Sequence, residues 1–406
     1  MSERDGFLEQ GGRESHDADH LDYDTRDSSL PGRRPSHTFK SETKPDKRYF
    51  YAGISLVVSL VAFVVQTETA GYVAHNLQYK KPIFMLYLTH SSWVCLLPLQ
   101  LLFIKVFKRW KTPWRVFLRR QYELVLNTAR ATQEHAGDFS GQHPLKYIMV
   151  TAFWLFVALS FAGSSWYIAV NLTTPSDLTA IYNCSAFFAY AFSVPMLGES
   201  LKPTKVISVV VAIVGVLIVS YWDTNEGEGD VSYPYRGIGN LIIGVGAILY
   251  GLYEVMYKKL ACPPNTISPR RQAAFANVVA FCIGCCTVSF LWMLLPILHW
   301  TGLETFELPH GSAAGVMVAN IASNAIFSGS FLILMALTSP VIGSVAALLT
   351  IFLVAITDWL LFDTPIGTGG VIGGLIIIGA FVMLSYASFQ ELGEEAEDSD
   401  SDEDVI

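Results

Sequence analysis

Charge is what this sequence has least of: 15% of its 406 residues are Asp, Glu, Lys or Arg, against 52% that are hydrophobic. A water-soluble protein of this size needs far more charge to wet its surface. The charge present is also unevenly placed. Residues 1–48 hold eleven acids and nine bases, and residues 391–406 hold nine acids and no base. Between these ends run long stretches with almost no ionisable side chain. An apolar run of about 18 or more residues spans a ~30 Å hydrocarbon layer as a helix.

Other absences narrow the class further. Six cysteines are too few and too apolar in setting for a disulfide scaffold: Cys95, Cys184, Cys282, Cys285 and Cys286 lie inside hydrophobic runs and Cys262 in a loop. Cys-Ile-Gly-Cys-Cys at 282–286 lacks the paired spacing of a zinc site and has no histidine nearby, so no metal site is expected. The first twenty residues have no apolar core behind a basic start, which predicts insertion by the first hydrophobic helix rather than by a cleaved signal peptide. No HExxH, paired catalytic carboxylates or nucleophile–histidine set occurs in the apolar runs, so neither an enzyme nor a cofactor is expected. Gly237, Gly239, Gly244 and Gly246 follow no strand and read as a helix-packing surface, as do Gly369/Gly373 and Gly370/Gly374.

What is present is a series of ten apolar runs at roughly 50–70, 83–106, 147–170, 176–197, 205–221, 237–257, 272–298, 312–336, 341–361 and 368–388. Pro82, Pro175, Pro203 and Pro340 fall at or just before helix starts, where a missing backbone N–H costs little. The loops set the orientation. Lys108, Arg109, Lys111, Arg115, Arg119, Arg120, Arg130 and Lys146 crowd the 107–146 loop, and Lys202, Lys258, Lys259, Arg270 and Arg271 lie on the same side. The opposite side has Lys80, Lys81 and Arg236. The positive-inside rule then puts both termini in the cytosol, with the basic collar from Arg33 to Arg48 abutting the first helix. Residues 1–48 and 389–406 are expected as disordered tails. Within the basic loop, Trp114, Phe117, Leu118 and Val125 recur at helical spacing among arginines. This segment is either an amphipathic helix on an anionic leaflet or a packed linker helix.

The chain also repeats itself. Residues 166–221 align with 331–386 without a gap, pairing Leu172 with Leu337, Thr173 with Thr338, Pro175 with Pro340 and Phe187 with Phe352. The repeat unit is therefore five spans, 49–221 and 237–388. Five is odd, so the second unit enters the membrane inverted, the arrangement of alternating-access transporters with a midplane substrate site. The expected fold is all-α and integral to the membrane: ten transmembrane helices as two inverted five-helix repeats, both termini cytosolic.

Three segments carry a resemblance: residues 182–221, residues 246–259 (GAILYGLYEVMYKK) and residues 67–93. In these the chain resembles the drug/metabolite transporter superfamily in its EamA-type branch, over about residues 50–388. It is similar in particular to fungal and animal relatives of solute carrier family 35, subfamily F. The resemblance implies secondary transport of a small organic solute, thiamine-like for subfamily F and nucleotide-sugar-like for other branches. Family members end their fourth and ninth helices in a Gly-Glu turn; Gly198-Glu199 fits, whereas the second copy reads Phe362-Asp363-Thr364. The expected partners are that solute and the lipid bilayer, with no nucleic acid; a homodimer is left open. An endomembrane, vacuole or Golgi, is favoured over the plasma membrane, and a non-transporting scaffold or sensor is the alternative.

An ionisable group inside hydrocarbon costs roughly 2.5–3.5 kcal/mol on insertion scales and so needs a reason. Glu68 lies 15 residues after Gly53, and Glu254 lies 15 after Gly239, matching places in the first and sixth spans. They are candidates to bind a cation, a proton or the positive part of a substrate. The competing readings are an interfacial Glu68 and a Glu254 paired with Lys258 one turn on. His90 is a proton relay or a hydrogen-bonded core histidine. Asn183, Asn320 and Asn324 are polar groups for the pathway or for helix association. Asp177 reads as a helix cap and Asp358 as water-facing. Trp154, Trp166, Tyr167, Tyr250 and Tyr253 can stack a flat cationic ring or simply pack and anchor. The Asn171 sequon abuts the bilayer and is expected to carry no sugar, and Ser399 and Ser401 are candidate phosphorylation sites.

Overall fold

The computed structural model describes residues 45–75, 77, 79, 81–138, 141–169, 172, 181–199, 201–222, 235–362 and 368–401. Contacts divide the chain into Met1–Glu42 and Thr43–Ile406, and every described residue lies in the second unit. The expected N-terminal tail is therefore almost wholly outside the described residues, as are Asp177 and the Asn171 sequon. The described residues form thirteen α-helices and no strand: α1 Pro45–His75, α2 Pro82–Ser91, α3 Leu96–Lys108, α4 Trp114–His135, α5 Pro144–Ala169, α6 Ser185–Leu197, α7 Pro203–Tyr221, α8 Arg236–Ala261, α9 Pro269–Phe290, α10 Leu294–Thr301, α11 Ser312–Leu337, α12 Pro340–Phe362 and α13 Thr368–Ser401. The stretch expected as a disordered acidic tail is helical as far as Ser401; its glutamates are good helix formers.

Among the described residues, six helical stretches are long and apolar enough to cross a membrane: Arg48–Ala70, Pro82–Lys108, Pro144–Ala169, Gly237–Ala261, Pro269–Thr301 and Ser312–Leu337. Shorter apolar helical stretches lie at Ile181–Leu197, Pro203–Ile218, Pro340–Thr350 and Val371–Ala387. The chain is a multi-pass membrane protein, and its described elements are all helices. Proline sets several helix starts as expected, at Pro82, Pro203 and Pro340. Two long stretches are broken where no break is expected. A 3₁₀ turn, Ser92–Cys95, separates α2 from α3, and another, Leu291–Met293, separates α9 from α10. The cause is Pro98 in one and Pro296 in the other, because each removes the N–H that would reach back four residues to Val94 or Trp292.

α1 packs along α11, α5 along α8, and α7 along α13; α8 also lies against α6, and α1 against α12. Bare backbone brings α8 this close. A Cβ on Gly246 would sit 1.9 Å from Ser165 Oγ of α5, and one on Gly251 would sit 2.8 Å from the Ala189 nitrogen of α6. Any side chain there pushes the helices apart.

The two ends of the bundle are tied by charges placed on helix termini. At the end away from the basic loop, Glu304 reaches the start of α2 and accepts from the backbone N–H groups of Ile83 (3.0 Å) and Phe84 (2.9 Å). A carboxylate on free N–H groups at a helix N-terminus is both a cap and a match to the helix dipole. Around it, Lys81 Nζ donates to Thr305 Oγ1 (2.5 Å) and lies 3.6 Å from Glu307, while Tyr79 donates to the Glu307 carbonyl at 2.5 Å. Burial, with the carboxylates of Glu304 and Glu307 nearby, pushes the Tyr79 hydroxyl up to about 12, so it remains a donor. At the basic end, the last carbonyls of α11 are met by two cations. Lys258 Nζ donates to Met335 (3.1 Å), Ala336 (2.9 Å) and Thr338 (2.5 Å), and Arg48 Nε to Leu337 (2.6 Å). Positive charge at a helix C-terminus is the complementary arrangement.

Because Glu304 is buried and its two bonds are charge-assisted, Glu304→Ala is expected to destabilise the purified protein by about 1.5–3 kcal/mol. Thermal unfolding in detergent measures it, and an unchanged midpoint sinks the capping role. Lys258→Met leaves three carbonyls of α11 without their donor and is expected to cost a similar ~1.5–3 kcal/mol in the same assay.

Candidate functional site

Two clusters of polar side chains lie within the bundle, and together they contain Glu68, His90, Asn183, Glu254, Asn320 and Asn324. The first joins α1, α2 and α11. Asn320 is buried and its Nδ2 donates to the Gln66 carbonyl (2.8 Å) and Thr69 Oγ1 (3.0 Å), the residues flanking Glu68 on α1. Glu68 itself is half-buried. One turn further along α11, Asn324 Oδ1 accepts from Trp93 Nε1 at 3.1 Å, and the Trp93 ring lies 5.3 Å from that of His90. His90 Nδ1 is 3.1 Å from the Leu86 carbonyl. Thus the structure brings Glu68, His90, Asn320 and Asn324 into one neighbourhood.

The second cluster is built on α8. Glu254 has no exposed surface; its Oε2 accepts from Ser344 Oγ of α12, and its Oε1 has no donor. Lys258, the alternative partner one turn on, instead spends its hydrogen bonds on the end of α11. Glu254 makes no ion pair among the described residues. Around it stand three tyrosines: the Tyr182 and Tyr250 rings are 5.4 Å apart, and those of Tyr250 and Tyr253 are 5.9 Å apart. Tyr250 lies one turn before Glu254 on α8, and Tyr253 directly before it. The Tyr253 hydroxyl is buried without a partner. Asn183 follows Tyr182 and is half-buried.

Tyr167 packs against the buried group of Val73, Met85 and Met317. Its ring meets Trp166 edge-on at 5.0 Å. Trp154 is exposed on the bundle's outer surface and takes no part.

Sequence reasoning missed Ser344, Thr89 and Trp93. Ser344 was detectable, since the repeat offset of 165 pairs it with Thr179, another hydroxyl. The matched Leu-Leu-Pro at 96–98 and 294–296 likewise marks both breaks. Asp358 lies on α12, and nothing is described of its side chain. Among the described residues no group of three or more metal-ligating side chains occurs.

The EamA-like transporter family matches residues 134–221. An uncharacterized transporter of Schizosaccharomyces pombe is 30% identical over 57% of this chain and 65% of its own length, so that match spans just under two thirds of the relative. An uncharacterized vacuolar membrane protein of Saccharomyces cerevisiae is 22% identical over 87% of this chain and 94% of its own. Solute carrier family 35 member F5 of Bos taurus is 30% identical over 40% of this chain and 29% of its own. A solved crystal structure shares the fold with a TM-score of 0.52 at 14% identity, over 84% of this chain and 98% of that one. The chain is thus similar to the EamA-like transporter family over residues 134–221, and to fungal transporters and solute carrier family 35 member F5 over the shares given.

Proposed function

We propose that this protein is a secondary transporter that moves a small organic cation across a membrane by alternating access, between two inverted five-helix repeats at 49–221 and 237–388. The observation that carries the reading is Glu254. A carboxylate with no exposed surface, one oxygen without a donor and no ion pair among the described residues is costly to keep inside a membrane. That cost is offset when a cation arrives. The tyrosines beside it offer ring faces to a positive, planar group, and a proton is the competing occupant. Lys258 and Arg48, two cations among the described residues that an anionic nucleotide sugar could use, are committed to the end of α11.

Several features support the inverted repeat. At the offset of 165, the end of α6 at Leu197 corresponds to the end of α12 at Phe362, and the start of α7 at Pro203 to the start of α13 at Thr368. The proline breaks fall in the second and seventh spans, which are equivalent. Packing obeys the same exchange: α1 with α11 mirrors α8 with α5, and α1 with α12 mirrors α8 with α6. The basic loops favour cytosolic termini. A vacuolar relative favours an endomembrane address.

Uptake of radiolabelled solutes into proteoliposomes, over a panel of organic cations including thiamine plus nucleotide sugars, tests this. A cation is expected to be taken up, with Glu254→Gln reducing its rate at least ~10-fold. Tyr250→Ala is expected to raise the half-saturating concentration by about 3–30-fold, the range of a cation–π contact. Full activity of the Gln variant removes Glu254 from the site. Flux of no solute in the panel favours a scaffold or sensor.

A further inference from the structure

α4 is only half covered. Its C-terminal part packs on α5, α8 and α9 through Thr128, Ala129 and Thr132, and Arg271 Nε donates to Thr128 Oγ1 at 2.7 Å. The face that Val125 and Ala129 continue toward the N-terminus reads Tyr122, Leu118 and Trp114, at intervals of about one turn. Those three are 53%, 47% and 52% exposed. Arg115 and Arg119 flank this apolar stripe, Arg120 lies across the helix, and all three are exposed. From Lys108 to Arg120 there are six bases and no acid.

The surface leading to the stripe is the surface of a membrane span. Leu99, Leu102, Phe103, Val106 and Phe107 are exposed along α3, which ends the apolar stretch Pro82–Lys108. The chain then turns through Trp110, and a recess of about 380 Å³ opens between α3 and α4, lined by Lys105, Lys111, Thr112 and Trp114 among others. Lys105 is buried beneath it, donating to the carbonyls of Arg109 (3.2 Å) and Trp110 (3.0 Å), with its Nζ 5.2 Å from the Trp114 ring centre. These contacts fix the corner by which the apolar span passes into α4.

We infer that the turn at 109–113 and the N-terminal half of α4, residues 114–122, form a docking surface for anionic phospholipid headgroups: Trp114, Leu118 and Tyr122 enter the acyl boundary, and Arg115, Arg119 and Arg120 hold the negative headgroups. An apolar stripe flanked by arginines at the end of a transmembrane helix is complementary to that interface and to no aqueous surface. Arg119 also bonds Glu123 at 3.0 Å, the one acid on this half of the helix, which leaves a strong excess of positive charge. The inference rests on the Pro82–Lys108 span and is independent of the transport reading.

Native mass spectrometry of the full-length chain in detergent tests it, titrating phosphatidylserine or phosphatidylcholine of identical acyl chains. Three arginines beside anionic headgroups are worth up to on the order of 100-fold in affinity. The first phosphatidylserine is expected to bind ~10-fold or more tightly than phosphatidylcholine. R115Q/R119Q/R120Q is expected to bring that ratio below ~3, while R115K/R119K/R120K retains most of it, because the effect is one of charge. Equal binding of the two lipids by the wild type, an unchanged ratio in the Gln variant, or a ratio lost in the Lys variant overturns the inference. Displacement of phosphatidylserine by millimolar inorganic phosphate also overturns it, in favour of a soluble anion.

Discussion

A helix in hydrocarbon satisfies its own backbone everywhere except at its ends, where four N–H and four C=O groups have no partner. In this protein those ends are met from a distance. The first turn of α2 receives a carboxylate from the connection between α10 and α11, and the last turn of α11 receives an ammonium from α8 and a guanidinium from α1. Each tie joins segments far apart in sequence, and each sits at a membrane boundary, where a charge can be delivered without crossing the apolar layer. The architecture depends on these terminal contacts because apolar packing alone gives little drive for helices to associate in lipid.

This division of labour explains how α8 can hold two charges of opposite sign one turn apart without joining them. Lys258 turns toward the boundary and the carbonyls of α11. Glu254 turns inward to Ser344 and the tyrosines. An i, i+4 pair on an exposed helix is worth a few tenths of a kcal/mol. Three carbonyl acceptors outweigh that for Lys258, and the carboxylate is left facing the bundle interior. The close approach at Gly246 and Gly251 holds α8 against α5 and α6, so the tyrosine cluster and the carboxylate share one rigid element.

Much of this was legible from apolar runs, because run length and proline position act locally. Pro82, Pro203 and Pro340 mark helix starts. The polar candidates Glu68, His90, Asn320 and Asn324 were individually visible through their rarity in apolar surroundings. Their proximity was not, since Asn320 meets residues some 250 positions away. Glu304 illustrates the limit. In sequence it is one more loop acid, and only the fold sets it on the amides of Ile83 and Phe84. The breaks at Pro98 and Pro296 were overlooked for a different reason: both lie inside strongly apolar runs, where hydropathy outweighs a single residue.

The cap on α2 also has a bearing on biosynthesis. Its carboxylate lies 221 residues downstream of Ile83. At typical synthesis rates of about 5–20 residues per second, the ribosome needs on the order of 10–40 seconds to reach it. Throughout that interval α2 has left the ribosome with its leading amides unclaimed by protein, and water or lipid headgroups must serve them. The α11 carbonyls face no such delay, because Arg48 and Lys258 are already made when Leu337 emerges. One boundary of the bundle can therefore close as soon as its last helix turn is synthesised, while the other waits for a late residue to seat an early helix.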